Sequence, residues 1–340
     1  MSELDEVIKN IKNQNSVRKG NDGKYIFPRL KSGILALDIA LAGGLTLSNA
    51  HLIYGEKSSG KTTLYTMFIK QAQRMFPDKK AFIMDIEGTY NTKYAQKLGV
   101  DLERLYINTP ESGEEAVDIF DGVCRADDVS IVVVDSLAML TPTKEIEKSA
   151  VDSIVAEQAR LIGRMYRKAV NALTTERLRG HLPCVIHINQ FRTKVGVMFG
   201  DPRTLPGGRA PEYCTSHNIL MKNKEHMVDK GEYAGFVDYN EHSFHITKDK
   251  TGGRVKEGAF KLIRDKDITG LPECYIDQTK TIITQGCMAG LVEKAGAFIK
   301  FNDMKFQGVD KVTEYFIEHP EVQEALQDSI VDYYVKKWDV

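Results

Sequence analysis

The 340-residue sequence lacks several features that would announce a function at a glance. It has almost no net charge: 46 basic residues against 47 acidic ones leave a formal −1 at pH 7. A nucleic-acid partner is therefore not signalled by the bulk, and if one binds, a local basic surface must hold it. No apolar run approaches the roughly 18–20 residues that span a bilayer. The opening stretch, MSELDEVIKNIKNQN, has no apolar block of signal-peptide type. The expectation is a cytoplasmic protein with no membrane partner. Five cysteines (Cys124, Cys184, Cys214, Cys274 and Cys287) are scattered, with no CxxC pair and no Cys/His cluster of zinc spacing. That excludes a disulfide framework and leaves free thiols in a reducing compartment. His242 and His245, in EHSFHIT, stand three apart on a strand-like segment, which turns their rings to opposite faces and argues against a metal there. There is no internal repeat and no low-complexity tract.

What is present is ordinary globular material, 42% hydrophobic and 27% charged. The chain is too long for one ordinary core and suits a large central domain with a smaller appendage. Leu4, Val7, Ile8 and Ile11 recur at helical spacing, predicting a short amphipathic helix before a polar, basic stretch. Its apolar stripe needs a cover, from its own chain or from a neighbouring subunit. From about residue 50, apolar β-branched runs (AHLIY, AFIMD, RLYI, SIVVVD, CVIHIN, HNILMK, SFHIT) are separated in several places by helical stretches, including a long run from Val151 to Leu178. Strands so apolar are buried on both faces, which predicts an α/β fold with a twisted, mostly parallel central sheet and ligands at the carboxyl ends of its strands. After about residue 270 the segments become mostly helical around a hairpin candidate, FIKFNDMKF. The expected division is 1–29 for an N-terminal helix and linker, 30–269 for the large core, and 270–340 for a small C-terminal α/β domain.

Gly55, Glu56, Lys57, Ser58, Ser59, Gly60, Lys61 and Thr62 spell GEKSSGKT, a full GxxxxGK[ST] match set between a strand and the helix beginning at Thr62–Thr63. The two glycines let backbone N–H groups curl around phosphate, the helix N-terminus adds partial positive charge, Lys61 reaches the β- and γ-phosphates, and the Thr62 hydroxyl ligates Mg²⁺. SIVVVDS ends a central strand at Asp135, placed to hold Mg²⁺ or its water as a Walker B residue does. Glu87, in AFIMDIEG, is a candidate general base for water, with Asp85 its competitor on the same strand.

These segments together resemble the RecA family of DNA recombinases, of which the phage-encoded UvsX type is a near relative. The resemblance runs over GEKSSGKTTL, TKYAQKLGVDLERL, VVVDSLAMLTPTKEIE, INQFRTKVGVMFGDPRTLPGG and LVEKAGAFIKF, and covers roughly residues 30 to 335. It implies an ATP-dependent recombinase with a RecA-like P-loop core. Such a protein polymerises as a homo-oligomeric filament on single-stranded DNA, pairs it with homologous double-stranded DNA and hydrolyses ATP with DNA stimulation. It also implies roles. Glu87 becomes the catalytic glutamate and Gln190 the γ-phosphate sensor that signals to the following loop. Tyr94 stacks on adenine, and Lys248 and Lys250 reach ATP on the adjacent subunit. DNA-binding residues fall in a first loop near Lys148–Val155 and a second from Phe191 to Arg209, with Arg192, Lys194, Val195, Gly207, Gly208 and Arg209. Arg160 and Arg167 lie on the helix between, where Arg164 and Lys168 add charge. Basic, glycine and apolar residues alternating in a loop suit phosphate contacts with wedging between bases.

Four positions depart from the family pattern: Asn91 and Arg264 beside the expected adenine site, and Pro206 and Arg209 at the end of the second loop. The chain also ends VKKWDV, without the family's acidic tail, which predicts less restrained DNA binding. Two other readings stay open on the residues alone: a RecA-fold hexameric helicase or motor, and an ATP-gated DNA-binding scaffold.

Overall fold

A computed structural model describes residues 2–11, 17, 27–143, 154–193 and 202–339. Helix α1 (Glu3–Lys9) opens with a capping box between Ser2 and Asp5, and acidic residues crowd its first turn. Leu4 is 65% and Val7 55% exposed, so the apolar stripe expected from spacing faces outward. The chain then forms a short pair, β1 (Arg29–Leu30) and β2 (Leu45–Thr46), around α2 (Leu35–Ala40).

The main body follows as β3 (Ala50–Gly55), α3 (Lys61–Met75), β4 (Lys80–Asp85), α4 (Thr92–Leu98), β5 (Leu105–Asn108), α5 (Gly113–Cys124), β6 (Val129–Asp135), α6 (Ile154–Arg179) and β7 (Cys184–Gln190). A small antiparallel pair, β8 (Arg192–Thr193) and β9 (Arg203–Thr204), and a short α7 (Ala210–Cys214) come next. They lead to β10 (His217–Met227), β11 (Val237–Asp249), β12 (Glu257–Ile263), α8 (Lys266–Thr269) and β13 (Ile276–Asp277). One nine-stranded sheet runs β13-β12-β11-β10-β3-β7-β6-β4-β5. From β10 to β5 all neighbours are parallel; β11, β12 and β13 add on antiparallel. The sheet is mostly parallel, as read from the sequence, with its antiparallel pairings confined to one end. Its antiparallel end was illegible as such because β12 exposes alternate residues and carries no continuous apolar run.

The central strands are largely apolar because both faces are covered. In β6, Ile131 and Val133 join the core under α3, while Val132 and Val134 join the one under α5 and α6. A third cluster unites Leu35, Ile39 and Ala42 with α9 (Thr279–Met288), the sheet β14 (Glu293–Ala295), β15 (Phe298–Phe301) and β16 (Met304–Gln307), and helices α10 (Val309–Glu318) and α11 (Pro320–Trp338). The expected hairpin is there: β15 and β16 are joined by Asn302 and Asp303, both at positive φ, as a two-residue turn requires. Gln278 ties this region to the core by accepting from Leu35 N–H and donating to the Gly33 carbonyl.

Candidate functional site

Four strand ends converge. Gly55 of β3 is in register with Gln190 of β7, and Asp85 of β4 with Asp135 of β6. The loop from Gly55 turns into α3 at Gly60, which adopts a left-handed φ of 92°. A Cβ there would also meet the His242 ring at 2.4 Å, and one at Gly55 would meet the Met221 carbonyl at 2.3 Å, so neither glycine is replaceable. No side chain caps α3, which leaves its first N–H groups for an anion. Lys61 is buried; its Nζ donates to the Glu56 carbonyl at 2.7 Å and reaches Ser59 Oγ at 3.5 Å. Burial lowers its pKa, opposed by Asp135, Glu87 and Glu56.

The carboxylates crowd one another. Asp135 is pushed up to about 7, first by burial and then by Glu87 and Asp85, against a hydrogen bond from Tyr65 and the charge of Lys61. Tyr65 interacts with both Asp135 and Thr62, the two expected metal ligands. Clustered hard oxygen donors with unrelieved mutual repulsion fit a Mg²⁺ ion. Glu87, just past β4, accepts from Ser136 Oγ at 2.7 Å and from Gln190 Nε2 at 2.5 Å on the same oxygen, Oε1. Asp85 instead is buried and accepts from Tyr90 N–H, which gives the competitor of Glu87 a structural partner.

Beside the loop lies a cleft of about 410 Å³ whose lining includes Ser58–Thr63, Asn91, Tyr94, His242 and Arg264. Tyr94 rises from α4, whose N-cap is Asn91, and its hydroxyl lies 2.7 Å from Thr63 Oγ1. Lys248 and Lys250 do not line this cleft. Lys248 donates to the carbonyls of Glu212 and Tyr213 and lines a separate cleft with Phe191 and Arg203; Lys250 is exposed. Glu56 is exposed and pairs with Arg203 at 3.7 Å, and Arg203 lies over the Phe191 ring at 4.9 Å, so the phosphate loop touches the second expected DNA loop. Lys57 is exposed.

Of the expected DNA contacts, Lys194 and Val195 lie outside the described residues, as does most of the first loop; Val155 falls in the first turn of α6. Arg160, Arg164 and Arg167 form one exposed face of α6. Lys168 does not join them, because its Nζ is bound to Asp118 of α5 at 2.7 Å. Arg192 donates to the Ala138 carbonyl just after β6. Gly207 is buried against Ile162 of α6, whereas Gly208 and Arg209, the latter heading α7, are exposed. Asn189, next to Gln190, donates to the Pro206 carbonyl at 2.9 Å and so pins the end of the second loop to β7.

Sequence reasoning missed Ser136, Tyr65 and Asn189. Each is adjacent to, or one turn from, a residue it did find, but as a hydroxyl or amide it carries no motif signal. It also missed Asn223, Glu225 and Asn240, which the antiparallel strands bring to the cleft.

Among the described residues no helix is long and apolar enough to cross a membrane. The chain matches the RecA N-terminal domain over residues 2–269 and the RecA C-terminal domain over residues 280–335. It is 34% identical to Protein RecA of Haemophilus ducreyi over 316 residues, 92% of this chain and 80% of that one. It is 35% identical to Protein RecA of Colwellia psychrerythraea over 310 residues, 91% of this chain and 84% of that one. With both domains matched and relatives covered over most of their length, the chain belongs to the RecA family, the recombinases that bind nucleotide and act as DNA-dependent ATPases.

Proposed function

We propose that this chain binds ATP with Mg²⁺ in the cleft between α3, α4 and the β10–β12 strands. On that reading it assembles as a filament on single-stranded DNA and promotes pairing and exchange with homologous duplex. The observation that carries this is the contact of Gln190 with Glu87: the group read as the catalytic base is bonded to a residue that opens directly into a DNA-binding loop.

On this reading the N–H groups of Gly55–Thr62 and the start of α3 cradle the phosphates, and Lys61 swings from the Glu56 carbonyl to the β,γ-bridge. Thr62 and Asp135 would hold the Mg²⁺, which when bound neutralises phosphate charge and relieves the repulsion among Asp135, Glu87 and Asp85. Glu87 orients a water and takes its proton as the oxygen attacks the γ-phosphorus and ADP leaves. Tyr94 and Arg264 flank the base. The remoteness of Lys248 and Lys250 from their own cleft supports a role on a neighbour's ATP, a cationic stabilisation of the transition state delivered by assembly. The outward stripe of α1 supports the same assembly. Arg160, Arg164, Arg167 and the second loop supply the DNA face, with Asn189 and Arg203 as links back to the nucleotide site.

The test is ATP turnover with and without single-stranded DNA, alongside electron microscopy with a slowly hydrolysed ATP analogue. DNA-stimulated hydrolysis and extended filaments are expected. Closed rings, or turnover indifferent to DNA, would overturn the assignment in favour of a motor.

A further inference from the structure

A polar cluster far from the nucleotide cleft has no role in the chemistry above. Helix α6 ends at Arg179, and the chain returns through His181 toward β7. Glu176, in the last turn of α6, is fully buried, and His181 is 5% exposed. His181 Nε2 lies 2.8 Å from the Val129 carbonyl. A carbonyl can only accept, so Nε2 carries the proton and Nδ1 presents a lone pair. That Nδ1 is buried without a partner and stands 3.9 Å from Glu176 Oε2, which is likewise buried and without a partner.

Two unpartnered acceptors facing each other in the protein interior are costly unless something positive lies between them. At 3.9 Å the two atoms are too far apart to satisfy each other by an N–H···O bond as they stand. Asp127, exposed in the turn entering β6, completes the arrangement: one ligand atom each from Asp127, Glu176 and His181 all lie within 4.8 Å of one another. The other Glu176 oxygen, Oε1, faces Arg179 at 3.5 Å and Arg125 at 3.7 Å, which leaves Oε2 as the ligand and offsets part of the acidic charge. The C-terminal end of a long helix also favours a cation.

We propose that Asp127, Glu176 and His181 form a binding site for a divalent transition-metal ion, with Zn²⁺ the ion best suited to it. One imidazole with two carboxylates is a mixed nitrogen–oxygen set, which favours zinc and its neighbours over Mg²⁺ or Ca²⁺. Tetrahedral zinc with ligands at about 2.0 Å places ligand atoms about 3.3 Å apart. The buried pair closes to this by roughly half an ångström, and rotation of the surface carboxylate supplies the rest. Water from the solvent side of Asp127 takes the fourth position. The ion ties the end of α6 to the start of β6. Since β6 ends at Asp135 and α6 begins beside the first expected DNA loop, it fixes the strand of one to the helix of the other. The spacing of these ligands along the chain fits no zinc motif, because the fold and not the local sequence gathers them.

The experiment uses the full-length protein, stripped with chelator and returned to Mg²⁺ buffer. Zn²⁺ is titrated calorimetrically, Co²⁺ is followed by visible absorption, and melting is compared with Zn²⁺ and Ca²⁺. The proposal expects one tight Zn²⁺ per chain, a tetrahedral Co²⁺ spectrum, and a Tm gain of about a few degrees with Zn²⁺ alone. Asp127→Ala alters only a surface side chain, and His181→Gln keeps an N–H for the Val129 carbonyl. Each should weaken Zn²⁺ about tenfold or more and abolish the Tm gain. Absence of tight binding in the unaltered protein would overturn the proposal. So would binding that both substitutions leave intact, which would put the ion on other donors, such as Asp85 with Asp135, or His245 with Glu257.

Discussion

Gln190 Nε2 and Ser136 Oγ both donate to one oxygen of Glu87, at 2.5 and 2.7 Å. Both donors hold the carboxylate in place, and Gln190 does so from the end of the strand that enters the second loop. Movement of Gln190 toward a γ-phosphate would release Glu87 and pull on the loop that follows β7. Glu87→Gln should therefore retain ATP and DNA binding while slowing steady-state hydrolysis about 10²- to 10⁴-fold. Gln190→Ala should bring turnover with and without single-stranded DNA to nearly the same value. Unchanged DNA stimulation in the second variant would break the proposed link between loop and base.

Lys250→Ala and Glu87→Gln should each abolish DNA-stimulated hydrolysis when alone. Mixed in equal amounts on DNA, some interfaces combine an intact Glu87 with a neighbour's intact Lys250, and measurable turnover should return. A mixture as inactive as its components would place both residues on the same ATP from the same subunit.

Asn91 and Arg264, the two positions expected to depart from the family pattern, line the cleft together with Tyr94. An arginine plane can still stack on a base, but its five donors also reward acceptors at the base edge. Tyr94→Ala should weaken nucleotide binding by about 1–3 kcal/mol, the range for loss of one base–aromatic stack. Competition of ATP binding by GTP, measured for the unaltered chain and for Arg264→Tyr, should show greater discrimination for adenine in the variant. Equal discrimination would remove Arg264 from base selection.

Phosphate contacts release counterions, so log affinity for single-stranded DNA should fall linearly with log salt, by about 0.7 per contact. The double variant Arg160→Ala/Arg167→Ala should flatten that slope by roughly 1 to 1.5 and weaken binding at every sequence tested. A slope identical to that of the unaltered chain would mean that the α6 face does not meet the backbone.

The phosphate loop, Asp135 and the parallel strands were legible because local spacing encodes them: a strand, a glycine turn and a helix lie consecutively in the chain. The apolar runs marked β3, β4, β6 and β7 because both faces of those strands are covered. What long-range register decides could not be read. Asn223, Asn240 and His242 reach the cleft only because β10, β11 and β12 pair as they do. Lys168 looked like part of a basic face, yet Asp118 on another helix claims it. Glu176 and His181 carry no motif signal, and burial alone sets them apart.

Buried neutral histidines should make the fold sensitive to mild acid. His187 sits between Phe120 and Tyr166 with neither ring nitrogen hydrogen-bonded, and burial lowers it to about 3, a backbone interaction with His51 opposing slightly. Burial likewise lowers His242 to about 4, and it takes His51, further depressed by His217, well below its usual value. In the unfolded chain each titrates near 6.5. Between that pH and the folded value the unfolded state binds the extra proton, so stability is fully present above about 6.5 and falls as pH drops toward 4. Each group contributes a slope approaching about 1.4 kcal/mol per pH unit. His187→Phe removes one such proton without losing a hydrogen bond. Urea midpoints at pH 7.5, 6.0 and 5.0 should therefore decline less steeply in the variant, by about one proton's worth. Parallel pH dependences for the two proteins would mean that His187 is protonated in the fold, or that the fold opens around it before it titrates.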